Sequence, residues 1–260
     1  MMRYCLFDPT KNRTILVETP VPVEQQPFVA EKLMALEPTA EQTGFVSMDA
    51  AGGDIALRMA GGEFCGNATM SAATLFCIRH GLEKAAVSVC AVGAKVPVAV
   101  AVEKLPDGIW RCDAQMPQVN SIEEVELPLN GDVCRLPLVR FDGIAHLIAQ
   151  KCMERAAAEA AVKSWCRLLD VDALGLMLLS PDRKSLSPLV CVRNPQTLFW
   201  ESSCASGTVA AGAYLAACEN KTQRLSFAEP GGILEVVAEP GGSLRLRGNV
   251  RLEKTVELPL

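Results

Sequence analysis

The sequence is short of the features that would tie it to a metal, a membrane or a nucleic acid. Two histidines in 260 residues, and eleven cysteines without one Cys-x-x-Cys pair, make a zinc cluster a poor fit. No run of about 18 uncharged apolar residues is present, so a membrane-spanning helix is not expected. Lysine and arginine total 25 against 30 acidic residues and are scattered, leaving no basic face for nucleic acid. The amino-terminal Met1-Met2-Arg3-Tyr4-Cys5 has no long apolar stretch and no small-residue cleavage site, which argues against an export signal. No cofactor motif and no low-complexity linker is visible.

What is present is an apolar chain, half its residues hydrophobic, with a net charge of −5. Its length suits one large or two modest domains with a sizeable core. The balance points to small-molecule chemistry. An odd number of cysteines without an export signal implies reduced thiols in the cytoplasm, not a disulfide framework. Cys77, Cys90, Cys112, Cys166 and Cys191 lie in apolar runs and read as small core residues.

Pattern and punctuation suggest α/β alternation. Strands are expected at Thr14 to Val17, Phe45 to Met48, Ile55 to Met59, Ala86 to Cys90 and Val96 to Val102. Helices are expected from Phe28 to Leu36 and from Asn67 to His80, the second closed by Gly81. The second half repeats the plan. Strands fit within Leu138 to Leu147 and at Leu174 to Leu179, Ser187 to Val192 and Leu198 to Trp200, with helices over Ala156 to Leu169 and Ser206 to Cys218. Strand-like Ile233 to Val237 and Leu244 to Leu246 follow, and the two Glu-Pro-Gly-Gly segments from Glu229 and Glu239 read as meander turns. The crossover is expected at Gln115 to Gln118 or in the acidic run Glu123 to Glu126, which reads as a solvated loop. Residues 1–115 then form one lobe and 116–260 the other, with the last strand a candidate to cross back.

Two segments are copies. Phe64-Cys65-Gly66-Asn67-Ala68-Thr69-Met70-Ser71-Ala72-Ala73 parallels Ser203-Cys204-Ala205-Ser206-Gly207-Thr208-Val209-Ala210-Ala211-Gly212. A small residue at the third position after cysteine, threonine at the fourth and alanine at the seventh coincide. A lone Cys-x-x-x-Thr is unremarkable filler in a packed helix. Its duplication at matching points of both halves implies two similar α/β lobes related by a pseudo-dyad.

Each cysteine falls just ahead of a helix, where unpaired N–H groups carry partial positive charge and favour a thiolate. If both helix N-termini enter one cleft, the backbone of Gly66, Asn67, Ala205, Ser206 and Gly207 can cradle an α-carboxylate. Two thiols flanking one Cα meet the demand of racemisation, removal of a proton on one face and delivery on the other. Without a cofactor, the N–H donors would have to stabilise the carbanionic charge.

These residues resemble the diaminopimelate-epimerase fold, shared with proline racemases and phenazine-biosynthesis isomerases; the phenazine branch is not expected to carry the cysteine pair. The nearest likeness is to the staphylopine-type histidine racemases. It is carried by Glu41-Gln42-Thr43-Gly44-Phe45, Glu63 to Ser71, Gln115-Met116-Pro117-Gln118, Trp200-Glu201-Ser202-Ser203-Cys204 and Pro230-Gly231-Gly232. The resemblance implies two pseudo-symmetric lobes, each a curled, mostly antiparallel sheet around a central helix. It further implies a cleft between them, a homodimer, no pyridoxal phosphate or metal, and L-histidine converted to D-histidine for an opine-type metallophore. Diaminopimelate epimerases carry a Glu-Arg pair before the second cysteine for the distal end of their substrate. Arg193 to Trp200 has none, so a distal ammonium and carboxylate would go unpaired.

Around the thiols, Glu41 and Gln42 align with the histidine-racemase block. Glu41 can hold an imidazole N–H or orient the amine, and an exposed loop carboxylate reads the same. Asn12 falls where the fold places a substrate-facing asparagine, or serves a turn. Glu201 can meet the substrate amine or sit at the surface, and Glu63 suits a capping or structural role. His146 matches the fold's cleft histidine, a positioning group and not a proton shuttle; a satisfied core histidine is the alternative. Trp110, Trp165 and Trp200 read as core. Two rival readings remain: a racemase of another amino acid (diaminopimelate, diaminopropionate or a broad set), and a thiol redox or binding protein.

Overall fold

A computed structural model describes residues 1–150, 153–193 and 196–259. In chain order the first stretch forms β1 (Met2–Pro9), β2 (Thr14–Val17), α1 (Gln26–Leu36), β3 (Gln42–Ser47), β4 (Ile55–Met59), α2 (Gly66–His80), β5 (Lys84–Ala91), β6 (Val98–Lys104) and β7 (Trp110–Gln115). Then come β8 (Ser121–Leu129), β9 (Asp132–Arg140), β10 (Ala145–Ala149), α3 (Arg155–Leu168), β11 (Ala173–Leu179), β12 (Leu186–Val192), β13 (Thr197–Trp200), α4 (Ala205–Glu219), β14 (Gln223–Glu229), β15 (Gly232–Ala238) and β16 (Leu244–Leu258). The chain divides into two compact units, Met1–Gln115 with Leu246–Leu260, and Met116–Arg245.

In the first unit the strands run in the order β1 to β7 and then β16, and β16 pairs antiparallel with β1 to close the sheet. The closed sheet surrounds α2, which packs on β1, β2 and β4 to β7. A helix in that position must satisfy its own polar groups. Thr69, Ser71 and Thr74 do so by donating to the carbonyls of Cys65, Asn67 and Met70 at 2.7, 2.9 and 2.9 Å. Gly81 ends α2 in the left-handed region (φ 66°), a conformation that costs glycine little. Along β5, β6 and β16 burial alternates, one face inward and one to solvent. β1 and β2 are buried on both faces because α1 covers them outside, with Ala30 and Leu33 packed on Tyr4, Ile15 and Val17.

In the second unit six strands run β13-β12-β11-β10-β9-β8, antiparallel except for β10–β11. α3 lays Ala158, Val162 and Trp165 against one face, with Leu138, Leu147 and Leu176 among their partners. α4 packs on β9, β10 and β11, and also against the antiparallel β14–β15 hairpin. Trp165 is wholly buried and still donates its indole N–H to the Pro128 carbonyl at 2.8 Å.

The acidic run Glu123 to Glu126, expected as a solvated loop, is part of β8. Its carboxylates reach arginines on the paired strand: Glu123 with Arg140 and Glu126 with Arg135, both at 2.6 Å. An edge strand tolerates such a charged face, which also discourages pairing with another sheet. β16 is far longer than Leu244 to Leu246, because its alternation of apolar and charged residues continues to Leu258. No helix among the described residues is long and apolar enough to cross a membrane.

Trp165→Ala empties the centre of the second unit's core. It is expected to lower stability by about 3–5 kcal/mol, measured by urea denaturation of the whole chain.

Candidate active site

Each unit presents one cysteine at the start of its buried helix, built the same way. Cys65 is the N-cap of α2 and Cys204 the N-cap of α4, both in extended backbone conformation. Each Sγ accepts the backbone N–H three residues on, Ala68 in one case and Gly207 in the other, at 3.4 Å. Each cysteine carbonyl then receives the side chain of the threonine four residues on, Thr69 at 2.7 Å and Thr208 at 2.8 Å. Thiols thus fill the position in which serine or aspartate usually satisfies a free helix N–H. The sequence copy is a copy of local geometry.

Around Cys65 the neighbours are amides. The thiol donates to Oε1 of Gln42 at 3.1 Å. That amide cannot turn over, because its Nε2 donates to Oδ1 of Asn12 and to Thr14 Oγ1. Asn12 also receives Nδ2 of Asn67 at 3.0 Å and gives its own Nδ2 to Glu41 at 2.7 Å. Asn12 and Asn67 are each only 1% exposed. The β1–β2 turn sets this up: Thr10 and Lys11 are both in the left-handed region, and Asp8 ties the Lys11 N–H and ammonium, each at 2.6 Å. Asn12 therefore closes a turn and also joins the network beside the thiol's amide partner. Gln42 bonds the Cys65 thiol and Gly66 and Asn67 follow it on α2, while Asn12 is joined to it through Gln42 and Glu41 through Asn12. Glu63 is not a cap, since Cys65 holds that place; one of its carboxylate oxygens is buried without a hydrogen bond, and burial raises its pKa.

Around Cys204 the surroundings are drier. Cys204 is 4% exposed. Its thiol lies 3.7 Å from Ser206 Oγ, which in turn meets His146 Nε2 at 3.0 Å. Burial holds the His146 pKa down to about 3, so the ring is neutral. His146 is therefore buried but only half satisfied, because its Nδ1 has no hydrogen-bond partner. The ring fits since its β-sheet neighbour is Gly175, where a Cβ would fall 2.2 Å from Nδ1. At Gly207 a Cβ would come within 2.1 Å of Met177 Sδ and 3.1 Å of the Cys204 thiol.

The expectation that a helix N-terminus frees a thiolate is corrected at Cys204. Burial pushes this thiol well above the ordinary cysteine value, and the charges of Glu201 and Glu229 add to that; the Gly207 N–H and Ser206 oppose it more weakly. Desolvation outweighs two hydrogen bonds. Glu201 thus lies close enough for its charge to act on Cys204.

The sequence marks Glu229 only as the first residue of a turn. Its carboxyl accepts the backbone N–H of Cys204 at 2.7 Å and bonds Thr208 Oγ1. The Glu-Pro-Gly-Gly repeat held no signal for this, because Glu239 occupies the same place in its own segment. Of the tryptophans, Trp110 and Trp165 are core, whereas Trp200 is part-exposed and donates to Glu159. Among the described residues every cysteine is a free thiol, and no three or more His, Cys, Asp or Glu side chains converge as a metal site.

Solved structures share this fold, among them proteins described as a probable proline racemase and as a phenazine biosynthesis protein. A probable proline racemase from Agrobacterium radiobacter K84 superposes with a TM-score of 0.71 at 14% identity, covering 100% of this chain and 93% of its own. A PhzF-family phenazine biosynthesis protein from Enterococcus faecalis gives 0.64 at 16% identity, over 100% of this chain and 99% of its own. At such identities the likeness is one of fold. Residues 1–258 match the family described as the histidine racemase CntK N-terminal domain, and the chain belongs to that family. A histidine racemase of Fusobacterium nucleatum subsp. nucleatum is 32% identical over 251 residues, 92% of this chain and 89% of that protein. One from Staphylococcus aureus strain Mu50 is 26% identical over 254 residues, 94% of this chain and 87% of that protein.

His146 carries a pH prediction. Its folded pKa lies below the ordinary 6.5, so between about pH 6.5 and the folded value the unfolded chain binds the extra proton and stability falls as pH falls. The wild type should lose up to about 1.4 kcal/mol per pH unit more than His146→Gln across that window, read from paired urea denaturations.

Proposed function

We propose that the chain is a histidine racemase in which Cys65 and Cys204 serve the two faces of the substrate Cα. The observation that carries this reading is the duplicated N-cap thiol: the same hydrogen bonds around one cysteine in each unit. On this reading the two units are the paired lobes of a diaminopimelate-epimerase-type fold, each a sheet curled about its helix.

The chemistry is a proton exchange. One sulfur, as thiolate, takes the Cα proton; the other, as thiol, delivers its own proton to the opposite face, and the roles swap for the reverse direction. The electron pair left on Cα spreads into the carboxylate, to which the first-turn N–H groups of Gly66, Asn67, Ala205 and Ser206 can donate, that of Gly207 being held by the Cys204 sulfur. No pyridoxal phosphate or metal enters the scheme. Gln42, fixed by Asn12 and Thr14, aims the Cys65 proton; Ser206 and neutral His146 hold the region of the second thiol. Glu41 and Glu201 are carboxylates suited to the substrate's ammonium or imidazole N–H.

Membership of the histidine racemase family and the names of the relatives support histidine as substrate. So does the missing Glu-Arg pair before Cys204, which disfavours diaminopimelate. A cytoplasmic homodimer whose D-histidine enters an opine-type metallophore completes the proposal.

In deuterium oxide, L-histidine should lose optical purity and gain deuterium at Cα. Cys65→Ser or Cys204→Ser should each cut that rate by about a thousandfold, followed by chiral chromatography and mass spectrometry. Histidine that stays optically pure while another amino acid in a panel racemises would move the substrate assignment. Reversible oxidation of the two thiols with no Cα exchange on any amino acid would point instead to a redox protein.

A further inference from the structure

The hydroxyl of Thr208 has one proton and two partners. It lies 2.8 Å from the Cys204 carbonyl, which can only accept, and in a very short contact with Oε1 of Glu229. If both contacts are hydrogen bonds, the second proton belongs to Glu229. The other carboxyl oxygen accepts the Cys204 N–H at 2.7 Å. A neutral carboxylic acid satisfies the whole arrangement, with one oxygen accepting and one donating.

The surroundings agree. Glu229 is buried at the end of β14 and forms no ion pair among the described residues. The charged groups near it are few. Ahead of α4 stand Cys204 and Glu201, whose charges reach one another, and on α4 Ser206 links to neutral His146. From the β11–β12 loop, Lys184 offers its backbone carbonyl to Ala228, and the Arg183 guanidinium is taken by Glu219. On β15, Glu235 alternates outward, opposite Ser226. Among the described residues no cation faces the carboxyl, and burial lifts its pKa to about 8.

We propose that Glu229 is a proton-bearing positioning residue for Cys204: as a neutral acid it holds the thiol's backbone in place, and its ionisation at alkaline pH silences that thiol. An ionised Glu229 sits on the cysteine's own N–H, so a thiolate there would be a second buried anion beside the first. The two groups accommodate one negative charge, not two. Racemisation then falls as pH rises through the Glu229 titration, because the carboxyl loses its proton before the thiol does.

The kinetic arm rests on the racemase reading; the spectroscopic arm does not. Glu229→Gln reproduces the acid's donor and acceptor but cannot ionise. On histidine, it should keep at least about a third of wild-type kcat near pH 7 and exceed the wild type about tenfold near pH 9, where an ionised acid would be tenfold in excess. Glu229→Ala should lose about tenfold in kcat near pH 7 with KM little changed. Infrared titration of the whole protein should show one carboxylic-acid C=O band near pH 6.5 that is missing in Glu229→Gln and bleaches on titration to about pH 9.5. Should Glu229→Gln not fold, Thr208→Val identifies the band, which shifts to higher frequency when its acceptor is removed. Superimposable pH profiles for wild type and Glu229→Gln, or absence of the acid band at neutral pH, would overturn the proposal. An intact band titration with no turnover of histidine by any variant would leave Glu229 protonated as argued and strike the substrate instead.

Discussion

A helix enclosed by other elements must dispose of its first N–H groups without water, and this constraint shapes both halves of the protein. α2 and α4 are rich in alanine, glycine, serine and threonine, small residues that let surrounding strands approach. Such a helix has no room for a bulky cap. A cysteine is small enough, and its sulfur can accept the N–H three residues on. The same feature that closes the helix electrically delivers a thiol to its open end. Packing and chemistry are thus met by one residue, which is why each cysteine comes with the threonine that ties the following turn to its carbonyl.

With the two caps so alike, their surroundings decide how they differ. Cys65 meets a chain of amides in which each group fixes the next: Asn12 fixes Gln42, and Gln42 receives the thiol proton. Amides do not titrate, and the Glu41 carboxylate stands at the far end of this chain, beyond Asn12. Cys204 meets groups that do titrate, Glu201 and Glu229, in a drier place. The familiar argument that a helix N-terminus lowers a thiol's pKa therefore fails at Cys204, where the helix contributes and burial outweighs it.

Much of this was legible in the residues, and what was not has a physical reason. α1 and the strands Thr14–Val17 and Ile55–Met59 follow from apolar spacing, the other helices from composition, with Pro38 and Gly81 as stops. The duplicated Cys-x-x-x-Thr could be recognised because a repeat is a comparison internal to the sequence. The acidic strand β8 was hidden because charge reads as solvated loop until the arginines of β9 are seen opposite it. Glu229 was hidden because its partner is a backbone N–H about two dozen positions earlier, an interaction that leaves no pattern in the side chains. The network of Asn12 illustrates the middle case. Its place in a turn was evident, and its contacts with Gln42, Asn67 and Glu41 depend on strand pairing that brings three distant segments together.

The charge balance around Cys204 leads one step further. His146 is neutral by burial, Ser206 is neutral by nature, and Glu229 without a cation is held neutral as well. Among the described residues no lysine or arginine side chain hydrogen-bonds this thiol, so backbone N–H groups supply the positive potential the protein itself offers a thiolate there. Such donors are weak individually and cannot move away, which makes them poor at stabilising a resting thiolate and well suited to charge that appears only briefly. A substrate bearing its own ammonium would bring the missing cation with it. On the proposed racemase reading, Cys204 stays a thiol until an amino acid's ammonium stands beside it, so a costly buried anion exists only while there is a proton to take.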